Sequence, residues 1–175
     1  MNVWRLGGNI MRAGGGSLWK QVSAGTFDYY IGPSGSDGNA GTIGSPWAIT
    51  SLLSSQSSSY GSQIATNKGL MAGKRVGLLD GTYRVAAYAA GFGDSDHVVL
   101  DIPSGSSGTP TIIEAVNARL AIIEGVDSGG TNRVNTYYSN GCAVIGQTYL
   151  TSGTGNVTLK NLVIRKGYRY LVHWR

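Results

Sequence analysis

The 175 residues contain a single cysteine, Cys142. That excludes a disulfide within the chain and a zinc site built from its own cysteines. Its setting, Gly-Cys-Ala-Val-Ile, suits a small core residue. Charge is scarce as well. Charged residues make up 13% of the chain against a hydrophobic share of 41%, which excludes a disordered polyelectrolyte and allows a core. Acids are the rarer sign: nine Asp and Glu face fourteen Lys and Arg, a net charge of +5. No apolar run approaches the roughly 18 residues of a membrane-spanning helix, and no membrane insertion is expected. The first twenty residues carry Arg5 and Arg12 but no unbroken apolar stretch, so they do not read as a secretory signal. Gly14 to Ser17 lacks the Gly-Lys-Ser/Thr ending of a phosphate loop.

Glycine is abundant instead, with 28 residues, roughly twice the usual share. They fall between short apolar segments without a period of three, a pattern that favours many short strands joined by turns. Residues 1–26 form a Gly-rich arm bearing Trp4, Leu6, Ile10, Met11, Leu18 and Trp19. These are too dispersed for a core and too apolar to leave in water, so the arm is expected to pack on its own domain or on a partner. In residues 27–47, Phe27, Tyr29 and Ile31 alternate as a strand. A polar loop around Asp37, Asn39 and Gly41 follows, closed by Pro46 and Trp47, with Asx-turn bonds as the expected role of the two polar side chains. Ser51 to Leu53 is read as a short helix start and residues 54–62 as an exposed serine-rich loop.

From Lys74 onward the chain reads as successive strands: Val76 to Leu79, another strand entered through an Asp80-Gly81-Thr82-Tyr83 turn, His97 to Ile102 with Val98, Leu100 and Ile102 on one face, Thr111 to Ala115, Ala121 to Gly125, and Cys142 to Leu150. Residues 156–164, NVTLKNLVI, are the most informative. Val157 and Leu159 share a face, as do Leu162 and Ile164, but the parity shifts by one residue between the pairs. A continuous strand would turn the second pair outward. A corner at Lys160-Asn161 keeps both pairs inside, and asparagine tolerates the left-handed conformation of such a corner. Strands linked by sharp corners and stacked about 4.8 Å apart make a β-solenoid, whose ends need caps.

Residues 29–42, YYIGPSGSDGNAGT, followed by SPWAI at 45–49, resemble the start of pectate-lyase-like right-handed parallel β-helix proteins. In the same order, GKRVGLLDGTYR at 73–84, GTPTIIEA at 108–115 and AIIEG at 121–125 resemble that family's early strands, and 156–164 its repeated coil. Lys74 departs from the pattern, standing where an acid is usual. The resemblance covers roughly residues 27–170. It implies an all-β chain with a cap of strand and short helix over 27–73 and first coils over 74–175, continuing past Arg175, and the arm over 1–26 is then expected to be a virion-attachment or assembly segment.

The same architecture hosts lyases, hydrolases, adhesins and phage tail spikes, and fold alone does not choose among them. The absent secretory signal and the aromatic arm favour a tail spike or tail fibre in the virion tail. Its expected partners are other tail proteins, two further copies in a homotrimer, and bacterial surface polysaccharide. The alternatives are a secreted polysaccharide lyase or hydrolase and a non-catalytic adhesin. Lyases of this shape use a basic residue and commonly Ca²⁺, and hydrolases two carboxylates. No catalytic residue is identifiable, no cofactor is evident, and the segment is expected to be inactive alone. Asp94 and Asp96 are the local candidates for Ca²⁺ in a full-length protein, against a polar turn before Val98. Glu114 and Glu124 are expected on solvated outward positions. Lys160, Arg165, Lys166, Arg169 and Arg175 cluster mildly with Tyr168, Tyr170 and Trp174. The segment reads as strand, so no nucleic-acid partner is expected, and a mildly basic surface suits an acidic glycan.

Overall fold

The computed structural model describes residues 3–6, 9–12, 26–55, 57, 59–85, 98–126, 143–146, 155–167 and 170–173. Two short strands, β1 (Val3–Leu6) and β2 (Asn9–Arg12), pair antiparallel with Trp4 opposite Met11. All other strand pairs among the described residues are parallel and build three sheets. The first is ordered β10-β7-β4-β3: Val157–Lys160, Thr111–Ala115, Arg75–Leu78 and Tyr29–Ile31. The second is β11-β8-β5: Val163–Arg165, Ala121–Glu124 and Gly81–Arg84. The third is β12-β9-β6: Tyr170–His173, Ala143–Gly146 and Val98–Asp101. From β4 onward the named strands fall into the three sheets in rotation, so β4 to β9 each pair with the third named strand after them.

Register turns this rotation into apolar columns. Tyr29, Val76, Ile113 and Leu159 are successive partners in the first sheet, and Tyr83, Ile123 and Ile164 in the second. Val76, Ile113 and Ile123 are fully buried. The columns thin toward β10–β12: Leu159 and Ile164 are only partly buried, and Val172, in register with the buried Ile145, is exposed. Tyr83 carries its hydroxyl into this interior and satisfies it there, its single O–H shared between the carbonyls of Leu79 (2.7 Å) and Ile31 (3.1 Å). Burial, and then the nearby Asp80 carboxylate, push the Tyr83 phenol well above its ordinary value.

The parity shift in residues 156–164 has its backbone cause at Asn161, which lies between β10 and β11 with φ of 56°. Segments 48–73 differ from the sequence reading. The turn is a 3-10 helix at Ile49–Leu52, and Leu53 already leaves it to bridge Leu100. The serine run is not an exposed loop throughout: Ser54 and Ser57 are buried, and Ser54 N–H donates to Val99 O. Ser62–Met71 is an α-helix, α1, that sets Ile64, Asn67, Lys68 and Met71 inward at helical spacing. Val99 is buried along with Val98, Leu100 and Ile102, so β6 is covered on both faces rather than one.

Candidate functional site

The loop before Trp47 brings its sequence-marked residues together. Trp47 is buried and stacks on Tyr29 with ring centroids 4.6 Å apart. Its indole N–H donates to Asn39 O at 2.7 Å, and the Asn39 amide donates to Pro46 O at 2.8 Å. Gly41 sits beneath the indole with φ of +73°, and a Cβ there would lie 2.7 Å from Trp47 Cε2. The Asp37 carboxylate accepts the hydroxyls of Thr50 and Ser51, the latter at 2.6 Å. The side-chain amide of Asn67 on α1 reaches Asp37 O and Ser51 Oγ, both at 2.9 Å. Every named group is engaged in holding loop, 3-10 turn and α1 to one another.

A second polar cluster joins α1 to β6. Lys68 Nζ lies 2.9 Å from Asp101 Oδ2 and donates to Leu53 O at 3.1 Å. Burial is the main influence on this ammonium and pulls its pKa below the ordinary lysine value, with the Asp101 charge opposing in part.

Among the described residues, four charged side chains meet at the second sheet. Arg84, Glu124 and Arg165 are register partners on β5, β8 and β11. Their chain neighbours Tyr83, Ile123 and Ile164 line the core column, so strand alternation sends the three charged side chains to the opposite face. Glu124 is nonetheless only 1% exposed. Its Oε1 lies 2.8 Å from Arg165 Nη2 and 3.0 Å from Lys166 Nζ, and also accepts Arg165 Nε–H at 2.8 Å. Oε2 faces Arg84 Nε at 3.4 Å. The Lys166 ammonium, followed by the Arg165 and Arg84 guanidinium groups, holds the Glu124 carboxyl below the usual carboxylate range against the opposing effect of burial. Adjacent strand residues point to opposite faces. Lys166 joins Arg165 on one carboxylate at a left-handed φ of 60°, a conformation that costs a non-glycine residue about 1–2 kcal/mol.

Glu114 is held similarly on the first sheet, accepting Arg75 Nη2 at 2.8 Å and the Asn161 amide at 3.0 Å. The Arg75 guanidinium also covers the Phe27 ring at 4.5 Å. The expectation of solvated positions for Glu114 and Glu124 is therefore corrected: both are buried beneath cations supplied by neighbouring strands. The Arg84–Glu124–Arg165 row was not found from sequence. Its partners are 40 and 41 residues away, and only the register aligns them.

Asp94 and Asp96 lie outside the described residues, as do Leu18, Trp19 and Cys142. Trp4 and Leu6 fall on β1 and Ile10 and Met11 on β2. Among the described residues no group of three or more His, Cys, Asp or Glu is placed to hold a metal ion. No helix among them is long and apolar enough to cross a membrane. A scan against protein-family models and searches of curated proteins and of solved structures found no match to this chain.

Proposed function

We propose that the chain is the capped opening of a right-handed parallel β-helix in a virion tail-spike or tail-fibre protein, a scaffold that carries a bacterial-glycan surface. The observation that carries this reading is the rotation of successive strands through three parallel sheets, with each of β7 to β12 stacked in register on the third strand before it. A chain wound as a β-solenoid produces that order. The Trp47 loop supports a cap beside β3: Trp47 bridges Ile31 in parallel, and its N–H donates to Tyr30 O. The arm, with its own β1–β2 hairpin, supports an attachment or trimerisation element ahead of the cap.

Light scattering on residues 1–175 and on residues 27–175, which retain all three parallel sheets, tests the reading. A trimer for the first and a monomer for the second is the expected result, with purified tail proteins binding only the first. Two monomers indifferent to tail proteins would reject the virion role and move a secreted polysaccharide lyase or hydrolase ahead.

A further inference from the structure

We infer that Arg165 and Lys166, flanked by Arg84, form a binding site for an oxyanion, either a small inorganic anion or the acidic substituent of a glycan. The site requires only the β5-β8-β11 ladder and stands whether or not the chain belongs to a virion.

Three observations carry it. Among the described residues, Arg165 and Lys166 have one anionic partner between them, Glu124, so two full positive charges face one carboxylate. That carboxylate is buried, whereas the Arg165 and Lys166 side chains are 50% and 41% exposed. Glu124 thus fixes the cations from below and leaves part of each toward solvent. Arg165 spends Nε and Nη2 on Glu124. A guanidinium carries five N–H donors, and an ammonium three, so both retain donors for a second acceptor.

The third observation is that the backbone beneath them is held in place. Lys166 is in the left-handed region, and the turn it makes packs directly on Gly125. A Cβ at Gly125 would lie 3.1 Å from Lys166 O, 3.1 Å from Gly167 Cα and 2.7 Å from Val144 Cγ2. Gly125 N–H donates to Arg165 O at 3.1 Å. Backbone strain kept in place by such contacts commonly accompanies a binding role. Two cations pre-set by a shared buried carboxylate lose little freedom on meeting an anion. A planar carboxylate or a tetrahedral sulfate or phosphate can take charge-assisted bonds from both heads.

The test is isothermal titration calorimetry of the full chain at low salt with four probes: sodium sulfate, inorganic phosphate, a galacturonate oligomer and a neutral maltooligosaccharide. Saturable binding of at least one anionic probe, with none of the neutral one, is expected. Arg165→Gln and Lys166→Gln should each weaken it about tenfold, the effect of losing one charge-assisted contact. Lys74→Gln, an exposed charge outside the site, should leave it unchanged. Lys166→Arg, which keeps the charge, should retain binding and guards against a folding artefact, as does circular dichroism of each variant. Sulfate or phosphate binding without galacturonate binding would assign the site to small anions and count against a glycan role. Absence of saturable binding to every probe, or equal weakening by Lys74→Gln, would overturn the site.

Discussion

Replacing Gly41 by alanine should unfasten the Trp47 loop. Two costs add. At φ of +73° an L-residue pays about 1–2 kcal/mol for the left-handed backbone. The new methyl would also lie 2.7–3.0 Å from three atoms of the Trp47 indole, a ring that is buried, stacked on Tyr29 and tied to Asn39 O. Forcing an added carbon into such packing costs typically 1–3 kcal/mol. The expected destabilisation is therefore about 2–5 kcal/mol. Gly38 supplies the matched control, because a Cβ there meets nothing within 4 Å and its φ lies outside the left-handed region. Gly38→Ala should be neutral or stabilising by up to about 1 kcal/mol through the unfolded chain. Urea unfolding followed by tryptophan fluorescence and by circular dichroism measures both. A Gly41→Ala midpoint within error of wild type, or an equal loss in Gly38→Ala, would refute the argument that the indole locks this loop.

Acid should discriminate at Glu124. Its folded-state carboxyl titrates below its ordinary value of 4.5, so its stabilising contribution is present above that value and is lost as pH falls through the lowered one. Urea midpoints of wild type and Glu124→Gln should be well separated at pH 7 and converge in strong acid; a constant gap would contradict the ion cluster. At Lys68 the sign is opposite. The folded state releases this proton more readily than the unfolded chain, so wild type should gain stability as pH rises from the lowered value to 10.5, a gain missing in Lys68→Met. At neutral pH, Lys68→Met should still destabilise by about 1–3 kcal/mol, because it strips Leu53 O of a donor and Asp101 of its cation. At Asn161, glycine keeps the φ of 56° but loses the bond to Glu114, whereas valine loses both, so thermal midpoints should rank Asn, Gly, Val from highest to lowest.

Parts of the fold were legible because they rest on local chemistry. Asn161 was visible from the parity of Val157, Leu159, Leu162 and Ile164, and the Trp47 loop from its Pro and Gly content, although the Asx-turn bonds expected of Asp37 and Asn39 give way to longer-range ones with Thr50, Ser51 and Pro46. Helix α1 left a weaker trace. Its N-cap is Gly61 with no capping side chain, its first turn holds no acid, and two of its four inward residues are Asn67 and Lys68. Polar residues in such positions look solvated until Asp37 O, Ser51 Oγ, Leu53 O and Asp101 are brought to them. Glu124 was misread for the same reason. A glutamate in AIIEG carries no local mark of burial, since its cover is delivered by strands from either side.

That dependence on both sides sets a timetable during synthesis. Arg84 precedes Glu124 in the chain, but Arg165 follows by 41 residues, an interval of roughly 2–8 s at about 5–20 residues per second. Until β11 arrives, β8 is a sheet edge. A charged side chain on such an edge discourages a stray strand from pairing there. The carboxylate that finally binds three strands together thus first guards the growing stack, and it surrenders that duty only to a strand bearing cations at the matching register.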